Sequence, residues 1–257
     1  MTRHFVTVAL LWAALTAGGE ALAFLNMFPT VGSKEAEDFD QIFRTLLFMG
    51  IPVFTFVIAV LAYAMLAFRS RTGDETGPNI RGTGMAPKIW LAVTSGLAVL
   101  TMIYPGLTGL ANLQGDRNGY AWGTATPELT IQVRGARWYW AFVYPDGIQL
   151  ALATDKQAEL VLPVDTVIKF EINSDDVVHS FWISAFRMKI DAIPGRTTSM
   201  IVQPTEIGDY LQDDAYRVQC AELCGLDHSL MRFPVKVVSK ADYAKWEASQ
   251  PKQSGGK

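Results

Sequence analysis

Two long uncharged stretches dominate the first half of the chain. Thr45 to Phe68 and Ile89 to Gln114 contain no charged side chain. A helix needs about 20 apolar residues to cross a bilayer, where its backbone polar groups must pair with one another. The pattern therefore predicts two transmembrane helices, with Pro105-Gly106 marking the end of the second. Two buried core helices are the alternative.

A third apolar stretch, Phe5 to Met27, allows two interpretations. It follows a short basic start, and Ala21-Leu22-Ala23 resembles a signal-peptidase site, so residues 1–27 could be a signal sequence. We expect instead a retained transmembrane helix. In that helix Glu20 should face protein, because a carboxyl group is costly in lipid.

Charges between these stretches predict the orientation of the chain. Residues 69–88 carry four basic and two acidic side chains, whereas residues 28–44 carry four acidic and two basic ones. The positive-inside rule assigns the basic loop 69–88 to the cytoplasm. Everything after about residue 115 is then expected outside, in the periplasm of a bacterial cell or an equivalent compartment.

Beyond residue 127 the pattern changes to short β-rich segments separated by turn residues. This spacing predicts an antiparallel sandwich or barrel. The chain then divides into the apolar segment 1–27, a helical hairpin 28–114, an outer domain 115–248 and a disordered tail 249–257. The predicted strands are Leu129–Val133, Trp138–Val143, Leu160–Leu162, Val167–Ile172, Ser180–Ile183, Ser199–Val202, Tyr216–Val218 and Phe233–Val238.

Composition adds two constraints. The formal net charge of −3 gives no basic excess for binding nucleic acid. The chain has two cysteines, Cys220 and Cys224, and a bridge between them would close too short a loop to stabilise the fold much. Such a pair favours metal or redox chemistry, with a disulfide as the alternative in an oxidising compartment.

Soft metal ligands are concentrated on the loop that contains both cysteines. Two thiolates, two imidazoles and a thioether select copper over harder metals, and the second thiolate allows both sulfurs to bridge two ions. A tetrahedral zinc site made of two cysteines and two histidines is the alternative, but it leaves the methionine without a role. The sequence thus predicts a dinuclear copper centre with the ligands His179, Cys220, the carbonyl of Glu222, Cys224, His228 and, weakly, Met231.

Residues 220–231 match the pattern CxExCGxxHxxM of the dinuclear copper (CuA) site in subunit II of cytochrome c oxidase, a haem–copper enzyme. The chain resembles this family over roughly residues 128–248, including the segments 137–140, 177–182 and 191–196, and over the preceding helical hairpin in architecture. The resemblance implies a cupredoxin-like β-barrel or sandwich after two or three transmembrane helices. It also implies an oxidoreductase and translocase subunit whose oxygen site lies in another chain.

The resemblance also implies roles for individual residues. Trp138 would receive electrons from cytochrome c or another small redox protein, and the Glu222 side chain would help to hold magnesium at the boundary with subunit I. Asp191 and Arg196 would lie at that same boundary, near the haem that the partner subunit holds. The acidic pairs Asp175-Asp176 and Asp213-Asp214 form a hypothetical docking patch for a basic donor.

The chain departs from the family pattern in one place, and other functions stay open. Residues 86–94 hold no carboxylate where the family places one near a proton channel, and the nearest acids are Asp74 and Glu75. The alternatives are the copper subunit of a nitric-oxide-reducing haem–copper enzyme, a membrane-anchored copper chaperone and a structural zinc module.

Overall fold

A computed structural model describes residues 2–25, 27–69, 73, 84–109, 126–151 and 158–251. Most of the predicted loop 69–88, the boundary at 114–115 and the end of the predicted tail lie outside the described residues. The chain forms two compact units. We call residues 1–27 with 41–110 the helical unit, and residues 28–40 with 111–257 the β unit.

The described residues contain three helices that are long and apolar enough to cross a membrane, which confirms the predicted helical part of the fold. They are α1 (Thr2–Ala23), α2 (Lys34–Ala67) and α3 (Met85–Thr101). A π-helical turn, Met102–Leu107, follows α3. Tyr104 leaves helical geometry there, immediately before the predicted end at Pro105.

Polar side chains of α1 make specific hydrogen bonds to α2. The indole Nε1 of Trp12 donates to the carbonyl of Pro52 at 2.8 Å, and the hydroxyls of Thr16 and Thr55 are 2.7 Å apart. One carboxyl oxygen of Glu20 is buried, in line with the expectation that this residue faces protein. Lipid offers no hydrogen-bonding partners, so such contacts contribute to helix association in a membrane.

The close approach of α1 to α2 at Gly19 gives a test of this helix pair. A Cβ added at Gly19 would lie 2.7 Å from Cγ2 of Ile51, whereas one at Gly18 would meet nothing within 4 Å. We expect Gly19→Leu to destabilise the helical unit by about 1–3 kcal/mol, the usual cost of overpacking. Gly18→Leu is the matched control, because both changes alter helix propensity equally.

The measurement is the apparent melting temperature of the full chain in detergent micelles. Gly19→Leu should melt below the parent, and Gly18→Leu should not. Equal melting temperatures for the two variants would contradict the packing of α1 on α2.

The described residues of the β unit form two facing sheets. The order is β3-β2-β1-β5-β8 in one sheet and β4-β11-β10-β6-β7 in the other, with β9 paired to β11. The strands are β1 (Leu129–Ala136), β2 (Tyr139–Val143), β3 (Gln149–Ala151), β4 (Leu160–Pro163), β5 (Ile168–Ser174), β6 (His179–Ile183), β7 (Lys189–Ala192), β8 (Thr198–Val202), β9 (Gly208–Asp209), β10 (Arg217–Cys220) and β11 (Arg232–Val238).

This architecture confirms the predicted sandwich and each predicted strand, and it adds elements that the pattern did not indicate. The additions are the short strands β3, β7 and β9 and the helix α4, Lys240–Ser249. The sheets are mixed rather than purely antiparallel, because β1 pairs with β5 and β4 with β11 in parallel. Parallel neighbours need a crossover connection, and here the intervening chain supplies it.

A cluster of buried aromatic side chains packs between the two sheets. Trp140, Phe142, Phe181 and Phe233 are fully buried. The Phe142 and Phe233 rings meet edge to face with centroids 4.7 Å apart, and Trp140 and Phe181 meet at 5.6 Å. Edge-to-face pairs stabilise a core beyond the area they bury. They hold β2, β6 and β11 in fixed positions.

Residues 28–40, which include the first residues of α2, are part of the β unit. Arg187 lies in a left-handed conformation (φ 59°), and its guanidinium donates to both carboxylate oxygens of Asp40 at 2.9 Å. The same group donates to the carbonyls of Pro29 at 2.6 Å and Ser184 at 2.7 Å. The Arg187 and Asp40 side chains are only 7% and 9% exposed, so this is a buried, fully bonded ion pair.

Candidate metal centre

Two paired strands and one loop bring the predicted ligands together. His179 begins β6, Cys220 ends β10, and these strands pair antiparallel with Cys220 opposite Phe181. The loop from Cys220 to Met231 is closed at its base, where the Cys220 amide donates to the Met231 carbonyl at 3.1 Å. The backbone pairing therefore places the residues at both ends of the loop beside His179.

The sulfurs of Cys220 and Cys224 are 3.8 Å apart, and both cysteines are free. A disulfide bond is only about 2.05 Å long, so this separation excludes the predicted alternative of a disulfide in this structure. Metal–thiolate bonds are about 2.3 Å, taking zinc as a guide. Both sulfurs are thus close enough to bind one ion together.

Each sulfur also has its own imidazole. Nδ1 of His179 is 3.8 Å from Sγ of Cys220, and Nδ1 of His228 is 3.5 Å from Sγ of Cys224. The thioether of Met231 is 3.9 Å from the Cys224 sulfur. The ligand atoms of His179, Cys220 and Cys224 all lie within 4.8 Å of one another.

The backbone of Glu222 reaches the same cluster. Its carbonyl oxygen is 3.1 Å from the Cys220 sulfur, and its side chain is exposed. The structure therefore brings together all six predicted ligand positions. Sulfur and imidazole donors in this number suit copper, so the residues fit the predicted metal.

Most of the ligand side chains are buried, although their loop is exposed and His228 is partly exposed. His179 and Met231 are fully buried, and Cys220 and Cys224 are 8% and 6% exposed. The loop's apolar side chains lie in solvent instead, because Leu223, Leu226 and Leu230 are 79%, 89% and 71% exposed. Large exposed apolar groups around a buried cluster are typical of a surface that contacts another protein.

Asp176 supports His179 from outside the cluster, and the sequence patterns did not indicate this. Its Oδ1 is 2.9 Å from Nε2 of His179, and its Oδ2 accepts from the amide and Nε of Arg137 at 2.9 and 3.0 Å. Burial raises the pKa of Asp176, but these hydrogen bonds and one from Val177 outweigh it and hold the pKa well below its usual range. Asp176 is therefore a carboxylate.

The predicted electron-receiving residue, Trp138, lies against the ligand loop. A Cβ at Gly225 would be 3.2 Å from Cζ2 of Trp138, and Gly225 has φ +124°, which only glycine adopts readily. Trp138 is partly buried. The glycine after Cys224 thus lets the indole contact the loop, a role that becomes visible only in three dimensions.

A family model and several known proteins are similar to this chain in sequence. The family model described as "Cytochrome C oxidase subunit II, periplasmic domain" matches residues 150–238. The chain is 28% identical to the probable cytochrome c oxidase subunit 2 of Rickettsia prowazekii over 91% of this chain and 74% of that protein. It is 27% identical to the corresponding protein of Synechocystis, over 95% of this chain and 79% of that one.

Two solved structures are similar in sequence to about half of the chain. The periplasmic domain of subunit II of cytochrome oxidase (CoxB) of Bradyrhizobium japonicum is 32% identical, with 49% of this chain and 95% of that chain covered and a TM-score of 0.43. A subunit II held in a mixed disulfide with a thioredoxin-like protein is 34% identical, with 50% and 94% covered and a TM-score of 0.42.

The chain belongs to the cytochrome c oxidase subunit II family. The family implies a copper site, and the cluster around Cys220 and Cys224 provides the donor atoms for one. Membership also makes the chain a subunit of a haem–copper oxidase, anchored by apolar helices and carrying an extracytoplasmic domain.

The acidic side chains near the candidate metal centre are largely paired with arginines. Arg134 lies 3.6 Å from Asp175, Arg137 binds Asp176, and Arg217 binds Asp214. These contacts offset the negative charge that a docking patch for a basic donor would need. Steering by Asp175-Asp176 and Asp213-Asp214 is therefore weaker than their sequence alone indicates.

The thiol of Cys224 gives a test of metal uptake. Burial raises its pKa to about 12, and the neighbouring Cys220 adds to the shift. A bound metal must displace this proton, so copper(I) affinity should increase about tenfold per pH unit for each proton released, below that pKa. Competition with a copper chelator at several pH values measures the dependence.

Cys224→Ser is the control for this experiment. It removes the thiol proton but leaves the histidines, so the slope of affinity against pH should become shallower. An unchanged slope would show that Cys224 releases no proton when metal binds.

Proposed function

We propose that this chain is the electron-accepting subunit of cytochrome c oxidase. It would take electrons from cytochrome c, or another small redox protein, at a dinuclear copper (CuA) centre and pass them to haem in subunit I, where oxygen is reduced. The observation that carries the proposal is a buried pair of sulfurs 3.8 Å apart, each with its own imidazole nitrogen. A mononuclear blue-copper site uses two histidines and only one cysteine, so the second sulfur is the donor that favours a pair of ions.

The proposed ligands divide the work among them. Cys220 and Cys224 would hold copper through their sulfurs, and His179 and His228 would do so through Nδ1. Met231 and the Glu222 carbonyl would complete the set of donors. When bound, the bridged copper pair supplies a carrier that gains and loses one electron with little change in geometry. The burial of His179, Cys220, Cys224 and Met231 would limit the access of water to the centre.

The surroundings support the remaining roles. We infer that Trp138, beside Gly225, receives the electron from the donor. The exposed carboxylate of Glu222 would hold magnesium at the boundary with subunit I, where the exposed residues Asp191 and Arg196 also belong. The helical unit lies in the bacterial cell membrane, with the β unit in the periplasm. We also propose a thioredoxin-like protein as a partner, since the similar subunit II forms a mixed disulfide with one.

Metal content and electron paramagnetic resonance test the copper centre. The full chain, purified in detergent and loaded with copper, should hold two copper ions and show one unpaired electron coupled to both nuclei. Cys224→Ser removes one bridging sulfur, so the coupling to two nuclei should disappear. A parent chain that binds one copper, or only zinc, contradicts the proposal.

Trp138 is tested by the rate at which reduced cytochrome c reduces the copper-loaded full chain. Trp138→Phe should slow this rate severalfold and leave the copper spectrum unchanged, because Trp138 is not a ligand. The matched control is Tyr139→Phe, since Tyr139 is the exposed neighbour in the same hairpin. Equal rates for the two variants would remove Trp138 from the electron path.

A further inference from the structure

Asp176 contacts two parts of the candidate centre that are distant along the chain, namely His179 and the turn that contains Arg137 and Trp138. One carboxylate oxygen, Oδ1, faces Nε2 of His179 at 2.9 Å and accepts from the Val177 amide at 2.6 Å. The other oxygen, Oδ2, accepts from the amide and Nε of Arg137, the residue before Trp138. A single side chain thus contacts both a proposed ligand and the turn that carries the proposed electron acceptor.

The carboxylate fixes which nitrogen of His179 carries the proton. A carboxylate only accepts hydrogen bonds, so Nε2 must be the donor, and in the neutral imidazole that binds a metal Nδ1 keeps its lone pair. That lone pair is on the side of Cys220, whose sulfur is 3.8 Å from Nδ1. The ring is also confined sterically, because a Cβ at Gly135 would lie 3.2 Å from its Cδ2.

We propose that Asp176 is a positioning residue of the copper centre, which sets the orientation and the proton position of His179 and ties the Trp138 turn to that ligand. This inference rests on the proposed function. Such a hydrogen-bonded carboxylate makes the imidazole a stronger ligand. Among the described residues, His228 makes no hydrogen bond to a carboxylate, so the two imidazoles differ in this respect.

The direction of the effect on the copper pair follows from charge. A carboxylate beside a ligand opposes the arrival of an electron, and a stronger imidazole favours the oxidised ion. Asp176→Asn removes both influences while keeping the size of the side chain. The reduction potential of the copper centre in this variant should therefore rise. Its copper affinity should fall about 10–100-fold, which is the usual cost of losing such a hydrogen-bonding partner.

Asp175→Asn is the matched control. Asp175 is the adjacent residue, pairs with Arg134 at 3.6 Å and is 44% exposed, so its change removes the same charge without touching His179. The full chain in detergent is loaded with copper, and its affinity, its reduction potential and its paramagnetic resonance spectrum are measured. We expect Asp176→Asn to shift all three and Asp175→Asn to leave affinity unchanged.

Two outcomes separate this inference from the proposed function. If the parent chain shows the two-copper spectrum but both variants behave alike, Asp176 has no positioning role. If the parent lacks that spectrum, the copper proposal itself fails.

A measurement on the parent chain covers the case in which Asp176→Asn does not fold. Nitrogen-15 resonances of the copper(I)-loaded full chain should show the His179 proton on Nε2, exchanging slowly with water. A proton on Nδ1, or rapid exchange at Nε2, would overturn the inference.

Discussion

Two buried cysteine sulfurs held 3.8 Å apart are the constraint on which the β unit of this protein depends. Burial penalises a thiolate, and a second thiolate at that distance would repel it, which is why the pKa of Cys224 is raised. A metal cation bound by both sulfurs would replace the thiol proton and offset both effects. The pairing of β6 with β10 and the aromatic core beneath them supply the rigidity that such an arrangement needs.

The residues that form the candidate site could be predicted from the sequence more completely than the scaffold that supports them. The ligands lie close together along the chain, apart from His179, and soft donors at that spacing leave few alternatives. The contacts that position them join distant residues, and no local pattern records such pairs. Asp176 is three positions from His179, yet it meets Arg137, and Arg187 meets Asp40 across 147 positions. The helix α4 lacks a marked apolar face, so periodicity did not reveal it.

The surface charge near the candidate metal centre is the property for which the sequence and the structure differ most. Counted along the chain, residues 146–227 hold fourteen acidic and six basic side chains, which favours a negative docking surface. Folding places arginines from β1, β10 and the hairpin turn beside several of these acids. The exposed leucines of the ligand loop then form the more distinctive surface feature. A count of charged residues describes only composition, whereas the electrostatic attraction of a binding partner also depends on which charges are paired in the fold.

The ion pair of Arg187 and Asp40 determines which fragments of this protein can be stable. A soluble fragment that starts after the last apolar helix would leave out Asp40 and Pro29, which accept hydrogen bonds from the guanidinium. The fragment would keep a cation whose site was built for a missing carboxylate, and removing one partner of a buried pair costs about 3–5 kcal/mol. A stable fragment of the β unit should therefore carry residues 28–40 as an added or tethered peptide.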